Sequence, residues 1–304
     1  MATATPRASI DIGSNSLLLL VRAADGQTVH DEASVVGLGR GLGDRGLFRP
    51  DRMDAAVEVL RRYASTARTL GVAPEAVRAV ATSAARRALN ATTFFERVRV
   101  ETGLLVQVIP GAEEARLTWL GALDGLALPL GSVAVIDLGG GSTELVLGEG
   151  EKIAFRTSLE VGSVRLTEQV FGEGPGRYDP RDLGRLRALL EPVVAPLVPV
   201  RHPRTVVAVA GTATTLSAMN LGLTAWDRDK VHGSRLTRAD LRRWIDRLLA
   251  SDAEERRTLA AVSPARADYL LAGACVLEAL LTALQRDSLL VSDGGVRHGL
   301  LAED

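Results

Sequence analysis

The sequence predicts an α/β protein built from two related halves. Residues 10–21, IDIGSNSLLLLV, and 136–148, IDLGGGSTELVLG, match at an offset of 126: Ile10, Asp11, Gly13 and Ser16 fall on Ile136, Asp137, Gly139 and Ser142. Each copy opens a run of three strands broken by turn residues, and alternating helices and strands follow. The 304 residues, 46% hydrophobic and 24% charged, suffice for two domains with separate cores. A duplicated domain would set its two aspartate loops facing each other across a cleft. We expect domains at 1–125 and 126–304, with the last helix able to pack back on the first.

In the first half, RASIDIG, NSLLLLVRA and QTVHDEASVV read as strands separated by glycine-bearing turns, and the glycine-dense VGLGRGLGDRGLF as a loop at 36–48. Residues 51–70 carry apolar positions at helical spacing and stop at Gly71. A short strand AVRAVAT, a polar-basic segment SAARRALN, a helix at 91–102, a strand LLVQVIP and a helix from Glu113 to about Gly121 complete it. The segment GLALPLG is a hinge candidate.

The second half repeats the plan. SVAVIDLG, STELVLGE and KIAFRTSLE are three strands with two hairpin turns, followed by helices at 163–171 and 180–197 around a loop GEGPGRYDP. Strand TVVAVAG runs into a helix-like TATTLSAM. Helices at 237–250 and 264–285 precede a strand SLLVSDG and a short helix GVRHGLLA.

The net charge of −1 gives no field that would favour nucleic acid or an acidic membrane, and neither is an expected partner. The four histidines are scattered and the one cysteine, Cys275, sits in an apolar run that suggests burial. No run reaches the roughly 18 apolar residues of a membrane span, and MATATPRAS lacks an apolar signal core. The reading is a cytoplasmic protein. Lys152 and Lys230 are the only lysines among 36 basic residues; this arginine bias identifies no site by itself.

The chemistry lies in the glycine turns. Glycines let backbone approach a ligand and aim successive N–H groups at one point, a nest that holds anions without a lysine. Ser14, Asn15, Ser16, Ser142 and Thr143 add side-chain donors. Asp11 and Asp137 would repel a bare phosphate, so they make sense as holders of a hard cation such as Mg²⁺. Glu144 adds a carboxylate where the first copy has Leu18, so the halves are chemically unequal. Tight hairpin turns alone would explain either copy, but not both together. Gly211 and Thr212 open a helix whose amides could receive a phosphate, or merely cap it. Asp293 and Arg297 repeat that layout. Arg86 follows a strand and could grip phosphate. Glu113 and Glu114 open a helix, where acidic residues are common for dipole reasons alone.

These segments together resemble the exopolyphosphatase/guanosine pentaphosphate phosphohydrolase (Ppx/GppA) family. IDIGSNS, ATSAARRALNATTF, IPGAEEARLTWLGAL, VIDLGGGSTELVLG, VAVAGTATTLSA and LLVSDGGVRHGLL occur in the family's order, from residue 9 to 301. The resemblance implies two ribonuclease H-like (actin-like) domains with a cleft between them, and Mg²⁺-dependent hydrolysis of a terminal phosphoanhydride, Mn²⁺ or a monovalent cation being alternatives. It implies phosphate binding by Asp11, Gly13, Ser14, Asn15 and Ser16, and by Gly139, Gly140, Gly141, Ser142 and Thr143. It makes Glu114 the catalytic glutamate and Arg86 the substrate-gripping arginine. Asp137 and Glu144, with Asp11, become the metal carboxylates. The reaction needs what these supply: a positioned water, a base and charge neutralisation.

Two departures stand out. Longer members carry extra helical domains after this core, so a short form is implied, with processivity open. Members also often have a basic residue where this chain has Gly37; either Arg40 substitutes for it or one phosphate contact is missing. The favoured substrate is inorganic polyphosphate, the rival pppGpp; a kinase-like ATP hydrolase and a non-catalytic polyphosphate or alarmone sensor are further alternatives. Homodimerisation is a family expectation.

Overall fold

The computed structural model describes residues 5–42, 46–150, 152–172, 176–197, 202–261 and 263–302. Parts of the expected loops at 36–48 and 172–180 lie outside the described residues. The chain divides into two units, 1–121 with 296–304, and 122–295.

The first unit contains β1 Arg7–Ile12, β2 Ser16–Arg22, β3 Thr28–Val35, β4 Val77–Ala81 and β5 Val106–Val108, in the order β3-β2-β1-β4-β5. The first three strands pair antiparallel; β4 and β5 join parallel to β1. Helix α1, Pro50–Thr69, starts with proline in its first turn, where no N–H is missed. It buries Ala56, Val57, Leu60, Tyr63, Ala64 and Ala67, one stripe at helical spacing. The Tyr63 hydroxyl donates to Leu17 O at 2.8 Å and so ties α1 to β2; burial pushes this phenol up to about 12. SAARRALN, read from the sequence only as a polar-basic segment, contains the short helix α2, Ser83–Arg87. Helix α3, Ala91–Thr102, ends at Gly103, whose φ of 78° is the left-handed cap that glycine favours. Helix α4, Gly111–Leu123, begins two residues before Glu113.

The C-terminal helix, Val296–Ala302, belongs to this unit. Ser9 Oγ donates to Arg297 O at 2.6 Å, and Arg297 Nε and Nη2 donate to the two carboxylate oxygens of Asp31 at 3.0 and 3.1 Å. Gly299 lies so close to α4 that a Cβ would stand 2.0 Å from Leu117 O.

The second unit contains β6 Val133–Leu138, β7 Thr143–Glu149, β8 Lys152–Leu159, β9 Thr205–Val209, β10 Arg235–Thr237 and β11 Ser288–Val291. Its sheet order is β10-β11-β9-β6-β7-β8. Read from the other end, this repeats the first unit's plan, with β10 added at the edge. Its helices are α5 Ser163–Phe171, α6 Pro180–Val194, α7 Ala210–Asn220, α8 Arg228–Val231, α9 Arg238–Ala250, α10 Ala253–Leu259 and α11 Leu270–Ala283. The expected helix at 180–197 finishes as a 3-10 turn, Ala195–Leu197, and that at 264–285 begins as one, Pro264–Tyr269. Helix α11 buries nearly every residue, because it crosses the middle of the unit between α7, α9 and the sheet. Cys275 is part of that core, and burial pushes its thiol up to about 12.

Candidate active site

The two glycine turns are the same structure. Gly13 N donates to Ser16 O at 3.0 Å, and Gly139 N donates to Ser142 O at 3.0 Å. A Cβ at Gly13 would meet Ser16 O at 3.0 Å, and one at Gly139 would meet Ser142 O at 3.1 Å. Both turns join an antiparallel hairpin: Asp11 stands opposite Leu18, and Asp137 opposite Glu144. Each hairpin leads off a strand whose other neighbour is parallel, β4 beside β1 and β9 beside β6. The turns therefore lie at the carboxyl ends of the parallel strands, where α/β sheets place ligands.

Carbonyl groups in both turns are bonded away. In the first unit Gly39 N donates to Ser14 O at 2.7 Å, and Val36 N and Gly37 N donate to Asn15 O at 2.9 and 2.8 Å. In the second, the first-turn N–H groups of α5, which need acceptors outside the helix, find them in the turn. Ser163 N donates to Gly139 O, and Val164 N and Arg165 N to Gly140 O, each at 3.0 Å. A trans peptide holds its C=O and the following N–H on opposite sides. Fixing these carbonyls against the loop or α5 thus turns the N–H groups of Asn15 and Ser16, and of Gly140 and Gly141, to the opposite side. Gly162, just before α5, makes the close approach feasible, since a Cβ there would stand 2.5 Å from Gly140 C and O.

Around the first turn the remaining candidates of that unit gather. A Cβ at Gly39 would lie 3.2 Å from Ser14 Cβ and 3.5 Å from Ala84 Cβ, so loop 36–42, the turn and α2 are in contact. Arg86, on α2, donates through Nη1 to Glu114 Oε2 at 2.6 Å and to Ile109 O at 3.0 Å. The two glutamates at the start of α4 are sharply different. Glu114 is 6% exposed and faces Arg86. Glu113 pairs with Arg116, one turn along the helix surface, and that hydrogen-bonded guanidinium holds its carboxyl below the usual range. Ser14, Ser16, Asn15 and Asp11 all lie in this neighbourhood, and Asn15 Oδ1 is buried.

In the second unit, Asp137 lies in a lateral row of four register positions. Val209 on β9 neighbours Asp137, Asp137 neighbours Glu144 on β7, and Glu144 neighbours Ser158 on β8. Glu144 is 2% exposed, and Ser158 Oγ donates to its Oε1 at 2.8 Å. The matching row in the first unit reads Val80, Asp11, Leu18 and Ala33. Two carboxylates directly opposite on an antiparallel pair repel, and a cation between them relieves that repulsion. Asp137 and Glu144 are thus a donor set suited to a hard divalent ion, with Ser158 fixing one oxygen. Ser142 is buried at the turn. Thr143, expected as a phosphate ligand, commits its hydroxyl proton to Val161 O at 2.6 Å and so braces the turn against the segment leading to α5.

Gly211 and Thr212 fall in the first turn of α7, next to β9. The Arg266 guanidinium rests on Gly211, where a Cβ would stand 2.3 Å from its Cζ. Thr212 is buried against Gly273 of α11, which would clash with any Cβ at 2.4 Å. Arg266 and Ser158 are not marked by the sequence: Arg266 reaches Gly211 across a long separation, and Ser158 meets Glu144 only through the strand register of a hairpin. Arg297, weighed as a site member, is instead the structural clamp to Asp31, and Asp293 pairs with Arg228 at 3.3 Å.

The family model described as the Ppx/GppA phosphatase family matches residues 19–304. Exopolyphosphatase 2 of Mycobacterium tuberculosis is 39% identical, with 96% of each chain covered. Exopolyphosphatase 1 of the same organism is 31% identical over 96% of this chain and 86% of its own. Among solved structures, the Ppx/GppA enzyme of Aquifex aeolicus is 36% identical with a TM-score of 0.81, covering 99% of both chains. An exopolyphosphatase from Cytophaga hutchinsonii gives a TM-score of 0.89 at 27% identity, covering 98% and 97%. Both units are α/β domains of the actin-like type. The chain is an enzyme of the Ppx/GppA phosphatase family.

Proposed function

We propose that the chain is an exopolyphosphatase that removes the terminal phosphoryl group of inorganic polyphosphate as orthophosphate. The observation that carries this reading is the pairing of buried Glu114 with Arg86 beside a phosphate-type turn, on a sheet whose counterpart turn adjoins the Asp137–Glu144 pair. The names of the relatives point the same way. Glu114 orients a water and takes its proton as the oxygen attacks the terminal phosphorus; the bond to the bridging oxygen breaks, leaving a chain one phosphate shorter. Arg86 holds Glu114 in place and offers its remaining N–H groups to phosphate. The N–H groups of Asn15, Ser16, Gly140 and Gly141 receive phosphate oxygens. Mg²⁺ held by Asp137 and Glu144 would neutralise phosphate charge, and Asp11 is the equivalent carboxylate of the first unit.

The test is phosphate release from medium-chain polyphosphate and from pppGpp, with and without Mg²⁺. Polyphosphate should be the better substrate, release should need the metal, and Glu114→Gln should lower kcat by about 10²–10⁴-fold while substrate still binds. Preference for pppGpp would move the assignment to the rival substrate. Equal rates in parent and variant would remove Glu114 from the chemistry.

A further inference from the structure

We infer that the hydroxyl of Thr82 positions the attacking water together with Glu114. This rests on the phosphoryl-transfer reading above. Thr82 is 5% exposed and stands at the N-cap of α2, yet its side chain makes no capping bond there and no other hydrogen bond among the described residues. A threonine at that place ordinarily lends its oxygen to an N–H of the first helical turn, and a buried hydroxyl is rarely left without a partner. A hydroxyl that the fold does not use is available to the reaction.

Register and alternation place this side chain. Val80 stands beside Asp11 and Ala81 beside Ile12, and Thr82 N continues the ladder by donating to Ile12 O at 3.3 Å. Thr82 therefore comes next to Gly13, the first glycine of the turn. Ala79 and Ala81 belong to the main core of the unit, whereas Val80 packs with Ile109 and Leu117 in a smaller cluster on the opposite face. Alternation carries Thr82 to the Val80 face, the one that α4 covers. Leu117 marks the stripe of α4 turned to that face, and Glu114, three residues earlier, lies on the same stripe. Ile109 N donates to Ala81 O at 3.0 Å, so α4 starts beside the end of β4. Arg86 Nη1 bonds both Ile109 O and Glu114 Oε2, and Arg86 N donates to Thr82 O at 3.1 Å, which ties the three residues together.

The duplicated unit supplies a contrast. Val209 stands beside Asp137 as Val80 stands beside Asp11, so Thr82 corresponds to Gly211, which has no side chain. The unit that holds Glu114 is the one with the hydroxyl. In the reaction Glu114 takes one hydrogen of the water as a proton, and Thr82 Oγ1 accepts a hydrogen bond from the other. With both hydrogens held, the oxygen lone pair is turned to phosphorus. That gain is realised in the attack and not in holding the phosphate chain, so Thr82 acts on kcat.

The experiment measures steady-state phosphate release and Tm for parent, Thr82→Val and Thr82→Ser, on whichever of polyphosphate and pppGpp the parent hydrolyses. In parallel, tripolyphosphate binding is measured by calorimetry on Glu114→Gln protein with and without Thr82→Val. Thr82→Val should lower kcat by about 10- to 100-fold, with KM and the tripolyphosphate Kd within about threefold of their references. Thr82→Ser keeps the hydroxyl and should hold kcat within about threefold of the parent. Valine fills nearly the same volume and removes a buried hydroxyl that no described group bonds, so its Tm should equal or exceed the parent's. An unchanged kcat in Thr82→Val overturns the inference and leaves the hydrolase reading standing. A rise in KM and Kd at constant kcat overturns it too, making Thr82 a phosphate contact. An equal loss of rate in Thr82→Ser would trace the effect to the methyl group, and a drop in Tm of Thr82→Val would make the hydroxyl structural; either result is fatal to it. If the parent releases phosphate from neither substrate, the hydrolase reading fails and the inference goes with it.

Discussion

At the scale of single residues, the proposed site depends on where a Cβ cannot be. Gly162 sits against the peptide of Gly140, with 2.5 Å to a would-be Cβ, and α5 takes up the carbonyls that orient the turn. Gly162→Ala should therefore shift residues 139–142, lowering kcat/KM at least about tenfold, since a displacement of order 1 Å in a positioned group costs that much or more. Gly184 is the control. It lies inside α6 with nothing within 4 Å of a Cβ, so Gly184→Ala should leave kinetics alone and stabilise by about 0.5–1 kcal/mol. Kinetics and thermal melts of the two variants check this; an active Gly162→Ala enzyme would mean that the α5 contact does not set the turn. Much at this scale was legible in the sequence. The Asp-Gly-Ser repeat exposed both turns, since a Cβ at Gly13 or Gly139 would crowd the carbonyl of the serine that closes the turn. The division of labour between Glu113 and Glu114 was not legible from helix chemistry, which treats both as first-turn acids; it depends on Arg86, 28 positions away.

At the scale of elements, strands and long helices followed their periodicity, whereas short elements escaped it. Helix α2 has five residues and α8 four, too few to show a period; β10 has three and merges into the capping box of Thr237 and Asp240. The segment from α8 to β10 is nonetheless fixed, and His232 is one of its fasteners. Its Nδ1 accepts from Asp293 N at 3.3 Å, which requires that nitrogen unprotonated. Burial first, then Arg228, depresses its pKa below the ordinary 6.5, while Asp293, Gly125 O and Asp124 oppose the shift. The unfolded chain takes up this proton first as pH falls, so the stability His232 provides is full above about pH 6.5 and is lost progressively below it, down to the folded pKa. Melts from pH 7.5 to 5 should show the parent's Tm falling more steeply than that of His232→Asn, whose side-chain oxygen keeps an acceptor without titrating. Parallel curves would assign the acid sensitivity elsewhere.

At the scale of the whole molecule, duplication explains both the symmetry and its breaking. The same sheet order and the same turn occur twice, yet the row through Asp137 carries Glu144 and Ser158 where the row through Asp11 carries Leu18 and Ala33. The first unit instead holds Glu114 and Arg86. In the proposed reaction each half keeps a phosphate turn, and the rest serves the water in one half and the charge in the other. The C-terminal helix, which counts with residues 1–121 although it follows the second unit, was expected as a short helix able to pack back on the first domain; its clamp of Ser9, Asp31 and Arg297 spans nearly the full length of the chain.

The central claim is that Glu114 activates the water and Glu144 helps to hold the metal in the proposed reaction, and a double-mutant cycle on phosphate release from polyphosphate measures it most directly. Glu114→Gln in the first unit and Glu144→Gln in the second should each lower kcat by at least about 10²-fold, and the double variant should fall far less than the product of the two. If either single variant keeps a substantial part of the parent's rate, that glutamate has no part in the step and the account is wrong.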